Sequence, residues 1–180
     1  MSGVPKSRRQ EHDFIATHNL HKIRRDITEL AINDFGYDKD KAENKIDKFE
    51  EMISKTTDAE KRKEVVERMR KKNESYYADF VEEETKITRD ILRKVVFEYE
   101  LGNSIFPSGE SKLMEYCDRR RHLNKAIGYL FCLKQELQYI AETLPGNKNR
   151  YEAVIESIKN EVSLIKGVRR AANKFLKKSN

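Results

Sequence analysis

Apolar residues recur at three- and four-residue intervals along nearly the whole chain, and the pattern breaks at Gly, Pro or Asn. From about Glu11, the positions Phe14, Ile15, Leu20, Ile23, Ile27, Leu30 and Ile32 mark a first helix. It closes at Phe35-Gly36, where Gly takes the left-handed cap. From Tyr37 to Glu74 the text turns to dense mixed charge, 12 basic and 11 acidic residues, threaded by narrow stripes at Ile46, Phe49, Ile53 and at Val65, Val66, Met69. That segment reads as an insertion of two short helices, the second opened by a capping box of Thr57 and Glu60. A second main helix spans about Tyr77 to Leu101, with Phe80, Ile87, Ile91, Leu92, Val95, Val96 and Tyr99 inward. After a turn at Phe106-Pro107-Ser108-Gly109, a third runs from Glu110 to Leu144 with a 4-3-4-3-4 seam of Ala126, Leu130, Leu133, Leu137, Ile140 and Leu144. Pro145-Gly146 stops it, and a fourth begins near Asn149, capped with Glu152 and carrying Tyr151, Val154, Ile155, Ile158, Val162 and Ile165.

Helices of this length span ~37–52 Å, the dimensions of a bundle. The expected fold is therefore all-α: an antiparallel four-helix bundle over residues 11–180, with a short charged helical insertion at 38–75 between helices 1 and 2. A basic arm, residues 1–10 with Lys6, Arg8 and Arg9, precedes it.

Composition agrees with a thin core and a large polar surface, since 38% of the 180 residues are charged and 37% hydrophobic. The longest apolar stretch, Ala126 to Leu133, is far short of the ~18–20 residues of a membrane span. With no apolar leader after the basic N-terminus, the expectation is a soluble cytoplasmic protein.

Charge changes the picture once it is partitioned. The net charge is +6. Residues 147–180 hold nine Lys/Arg against three Glu, and the first 146 residues balance at 28 against 28. On the last helix Lys166, Arg169, Arg170, Lys174, Lys177 and Lys178 fall within about half the circumference at ~100° per residue. A second cluster, Arg119-Arg120-Arg121 with Lys125, opens helix three, and an antiparallel bundle brings it to the same end. Arg119, Arg120 and Arg121 with Lys166, Arg169, Arg170, Lys174, Lys177 and Lys178 form the candidate nucleic-acid-binding site. A polyanion is the natural partner, RNA or DNA, with phosphate contacts supplying affinity without reading sequence. The same charges also fit a solvated face, and a membrane surface would find only Phe175 and Leu176 as apolar anchors.

Motifs for catalysis are missing. The sequence has no GxxxxGK[ST], GxGxxG, HExxH, CxxC or Glu-x-x-His pair. His18 and His21 share a helix face without a second ligand pair, and Cys117 and Cys132 read as small buried thiols on an amphipathic helix. We expect no catalytic residue, no metal and no cofactor. Most of the eight Tyr and eight Phe occupy helix-periodic core positions.

Several motifs resemble one family. Val4-Pro5-Lys6-Ser7-Arg8-Arg9, Phe14, His18-Asn19, Arg24, Thr28-Glu29-Leu30 and Asp34-Phe35-Gly36 are similar to the opening of the accessory variability determinant proteins of diversity-generating retroelements. Asn103-Ser104-Ile105-Phe106-Pro107, Arg119-Arg120-Arg121 with Asn124, Ala126, Ile127 and Gly128, Glu136-Leu137-Gln138-Tyr139-Ile140 and Leu144-Pro145 continue the resemblance. So do Glu161, Leu164-Ile165-Lys166-Gly167, Arg169-Arg170 and Asn173-Lys174, with Val168 where the family pattern has Trp. Only residues 38–75 fall outside it. The resemblance implies a non-enzymatic accessory subunit that forms a basic homo-oligomeric ring, a pentamer, and binds a reverse transcriptase with its template RNA. The related 23S rRNA intervening-sequence proteins share the bundle and imply an alternative, a helical protein–protein interaction module without direct nucleic-acid binding.

Overall fold

The computed structural model describes the backbone of residues 6–55 and 58–173, and the side chains among them from residue 15 onward. Thr57 of the expected capping box therefore lies outside the described residues. The described chain is helical, in the order α1 (Lys6–Ile32), α2 (Lys39–Ile53), α3 (Ala59–Ser104), α4 (Lys112–Thr143) and α5 (Glu152–Ala172). Short 3-10 turns at Asp34–Gly36 and Lys148–Tyr151 punctuate it.

α1 already includes residues 6–10, so the described part of the basic arm is the first part of that helix. Its apolar face is set one position away from part of the expected one. Ala16 is fully buried, whereas Ile15 is 43% and Ile32 76% exposed. The helix ends where Asp34, Phe35 and Gly36 all enter the left-handed region, with φ of 49°, 53° and 75°. Sequence reading assigns that conformation to Gly36 alone. Phe35 tolerates it because its ring is buried and the Tyr151 hydroxyl donates to its carbonyl at 2.6 Å.

The two short helices of the insertion are one separate helix and the beginning of another. α2 is capped by the Asp38 carboxylate, which accepts from the Lys41 backbone N–H at 3.1 Å. α3 then runs for 46 residues without a break near Glu74, because neither Gly nor Pro interrupts the sequence from Ala59 to Leu101. At ~1.5 Å per residue it is ~70 Å long. Its N-terminal part packs against α2, where Ala42, Ile46 and Val66 are buried and Arg70–Asp47 and Lys39–Glu74 pair at 2.9 and 3.1 Å.

The remaining helices close a circuit: α3 packs on α4, α4 on α5, α5 on α1, and α1 on α3. Residue numbers run in opposite senses across the first pair, with Phe80 against Tyr139 and Glu98 against His122. The expected seam of α4 is confirmed, with Ala126, Leu130, Leu133, Leu137 and Ile140 wholly buried. Near the α3–α4 turn the Leu123 side chain of α4 packs onto Gly102 of α3, where a Cβ would meet it at 3.1 Å. At the other end Tyr37 bridges Gly146, and Asp38 N–H donates to the Pro145 carbonyl at 2.8 Å, which ties the α1–α2 link to the α4–α5 link. The cap before α5 differs from expectation: the Asn147 side chain accepts from Asn149 N–H at 3.1 Å, in place of an Asn149–Glu152 pair.

Two carboxyl groups sit inside this packing. Glu161 of α5 is 0% exposed. Burial pushes its carboxyl up to about 8, offset only in part by the Asn19 amide of α1. Glu84 of α3 is buried beside Glu136 of α4, and burial together with that neighbouring carboxylate raises it to about 7.

Candidate nucleic-acid interface

Three consecutive arginines on a helix cannot point the same way, since each step turns ~100°. Arg119 faces the α3–α4 turn and is buried; it donates to the carbonyls of Asn103 and Ile105 at 3.1 and 2.8 Å and to the Asn103 side chain at 3.1 Å. Its guanidinium also lies 5.8 Å from the Phe106 ring centroid. Arg119 therefore locks the turn and leaves the expected phosphate-binding set. Arg120 points towards α5, donating to the Tyr116 hydroxyl at 3.0 Å and to Asn173 Oδ1 at 3.2 Å. Arg121 points outward and pairs with Asp118 at 2.8 Å.

On α5, Arg169 reaches across to α4 and donates to Asn124 Oδ1 at 2.5 Å. Lys166 sits with its ammonium 5.5 Å from the Phe131 ring centroid. Arg170 is exposed and makes no ion pair among the described residues. The last turn of α5 favours such cations electrostatically, because the helix dipole leaves negative charge there. Arg120, Lys166 and Arg169 thus meet along one α4–α5 seam, joined by Asn124, Asn173 and Tyr116, and exposed Arg170 follows Lys166 by one helical turn. Lys174, Lys177 and Lys178 lie outside the described residues, as do the side chains of Lys6, Arg8 and Arg9.

Lys125, grouped by sequence with the arginines, turns instead to α3. It pairs with Glu98 at 3.2 Å, and the ring of His122 meets the same carboxylate at 2.6 Å. Burial alone raises the Glu98 carboxyl, and these two hydrogen bonds outweigh it, so the group rests below the usual carboxylate range.

Sequence reasoning missed the polar partners Asn124, Asn173 and Tyr116, which carry no charge signal. It also read most aromatics as core without singling out Phe131, whose ring is 48% exposed. The available clue was its position, one residue past Leu130 and off the apolar seam. Cys117 and Cys132 are likewise exposed free thiols, contrary to the expected buried ones.

The described residues contain no group of three or more His, Cys, Asp and Glu placed to hold a metal ion. His21 lines an open depression with Arg24, Arg25 and Ile32. No helix among the described residues is long and apolar enough to cross a membrane. Comparison of the chain with protein-family models, with curated proteins and with solved structures finds no match.

Proposed function

We propose that this chain is a non-catalytic accessory subunit of a diversity-generating retroelement, an antiparallel four-helix bundle that binds nucleic acid through the α4–α5 seam and assembles into a homo-oligomeric, pentameric ring around a reverse transcriptase and its template RNA. One observation carries the nucleic-acid part: Arg120, Lys166 and Arg169 come from two helices onto one seam with exposed Arg170 one turn from Lys166, while the acidic residues nearest them in sequence are paired or turned inward, as Asp118 and Glu161 are. Such a patch attracts phosphates through charge and counterion release.

Fluorescence anisotropy with an RNA oligonucleotide tests it. Four neutralised phosphates give a log–log salt slope of about −3, at ~0.7–0.9 per phosphate. Arg169→Glu with Arg170→Glu abolishes binding while the circular dichroism stays helical. Binding that ignores both salt and charge reversal refutes the reading. A reverse transcriptase gene with a repeated template region beside this one supports the retroelement setting, and its consistent absence removes it.

The alternative, a protein–protein interaction module, draws on the exposed apolar residues Phe106, Leu113 and Met114 at the α3–α4 turn. Salt-insensitive capture of a protein partner, lost on Leu113→Asp with Met114→Asp, would favour that reading.

A further inference from the structure

We infer that Phe131 is a base-stacking platform that makes the α4–α5 seam select single-stranded over duplex nucleic acid; the inference rests on the nucleic-acid reading above. Isolated surface aromatics are ordinary. Phe131 differs by its company. It projects from α4 into the basic seam, keeps 48% of its surface open and has the Lys166 ammonium 5.5 Å from its centroid. The contrast is Phe106, whose ring lies beneath a guanidinium already committed to three hydrogen bonds. Lys166 makes no ion pair among the described residues, so its ammonium can hold a phosphate beside the ring.

Helix geometry keeps that ring accessible. A helical side chain leans over the turn N-terminal to its own Cα, which for Phe131 is the turn containing Gly128. A Cβ built on Gly128 would find open space within 4 Å. No side chain at that position shades the ring. About two turns further towards the start of α4, Asn124 fixes Arg169, and Arg120 lies one turn beyond. Aromatic and cations are thus spread over ~16 Å of the helix, a span several nucleotides long.

The two forms of nucleic acid meet this surface differently. In a duplex the bases are paired and stacked, so a ring set among phosphate-binding cations meets sugar and backbone. An unpaired strand can rotate a base onto the ring while its phosphates keep their cations, and every base offers a π-face, so the selection is for strandedness with little regard to sequence.

The chain contains no Trp, so Phe131→Trp installs a single tryptophan at the site, whose emission can be excited apart from that of the tyrosines. The full chain carrying this substitution is titrated with a single-stranded 12-mer RNA, the same sequence as single-stranded DNA, the matching duplex and an abasic strand of equal phosphate count. Stacking quenches the fluorescence with both single strands and leaves it unchanged with the duplex and the abasic strand. In anisotropy, Phe131→Ala weakens single-strand binding about tenfold and leaves duplex binding within about twofold. Quenching absent from a complex that anisotropy shows to be formed, or an equal loss for single strand and duplex, overturns the proposal. If Arg169→Glu with Arg170→Glu abolishes binding of every probe but the wild-type chain shows no preference for single strands, the stacking role alone fails. If the wild-type chain binds none of the probes, the parent reading fails and takes this one with it.

Discussion

Replacing Glu161 by Gln tests whether burial of that carboxyl governs the pH dependence of folding. Glu161 is fully enclosed between helices, and neither of its oxygens has a hydrogen-bond partner of good geometry among the described residues. Desolvation therefore holds the proton on it to about pH 8, against 4.5 for a free glutamate side chain. Between those values the unfolded chain is ionised here and the folded chain is not, so the folded state binds the extra proton and stability falls as pH rises. The stabilising contribution is complete below pH 4.5 and lost by the time the pH has passed through 8. Integrated from pH 5 to 8, the decline is roughly 3–4 kcal/mol at 1.36 kcal/mol per pKa unit. Urea unfolding followed by circular dichroism at pH 5, 6, 7 and 8 measures it. Wild type should lose stability steadily across this range, whereas Glu161→Gln should be close to wild type at pH 5 and more stable at pH 8. Glu84, raised to about 7 by burial and by Glu136, contributes in the same direction to both proteins, so the difference in slope isolates Glu161. Equal slopes for the two proteins would refute the reasoning.

Two further outcomes follow from the packing. Arg119→Ala should lower stability by roughly 2–4 kcal/mol, because it strips three hydrogen bonds from the α3–α4 turn, and should leave affinity for RNA unchanged at permissive temperature; loss of RNA binding in a still-folded variant would return Arg119 to the binding site. Two glycines should respond with opposite sign in thermal melts. Gly167→Ala, in open space within α5, gains about 0.5–1 kcal/mol, while Gly146→Ala drives a Cβ into the Gly36 carbonyl and destabilises.

Much of this molecule is local and therefore legible in the linear pattern. The α4 seam from Ala126 to Ile140 and the stop at Pro145 follow from periodicity and from backbone chemistry that acts within one turn. The end of α1 was legible only in part. Gly36 announced the left-handed turn, but Phe35 shares it because Tyr151, 116 residues away, holds its carbonyl. The false break near Glu74 has a similar origin. Dense charge looks like a boundary, yet charged residues are good helix formers, and α3 continues until Gly102 and the turn before Pro107. Ile15 and Ala16 show the same limit, since periodicity locates an apolar stripe within a residue or so and the neighbouring helix decides which side chain is covered.

For the candidate site, the order of residues already shows that cations concentrate on the last helix and at the start of α4, because charge is a property of each residue wherever it lies. Which of them share a surface is set by how the helices pack. Arg119, Arg120 and Arg121 are adjacent in the chain but diverge by ~100° steps, one into a turn, one to α5 and one outward. Arg169 and Asn124, 45 residues apart, meet because two helices pack side by side. Direction and proximity across helices belong to packing, and no count of charges along the chain contains them.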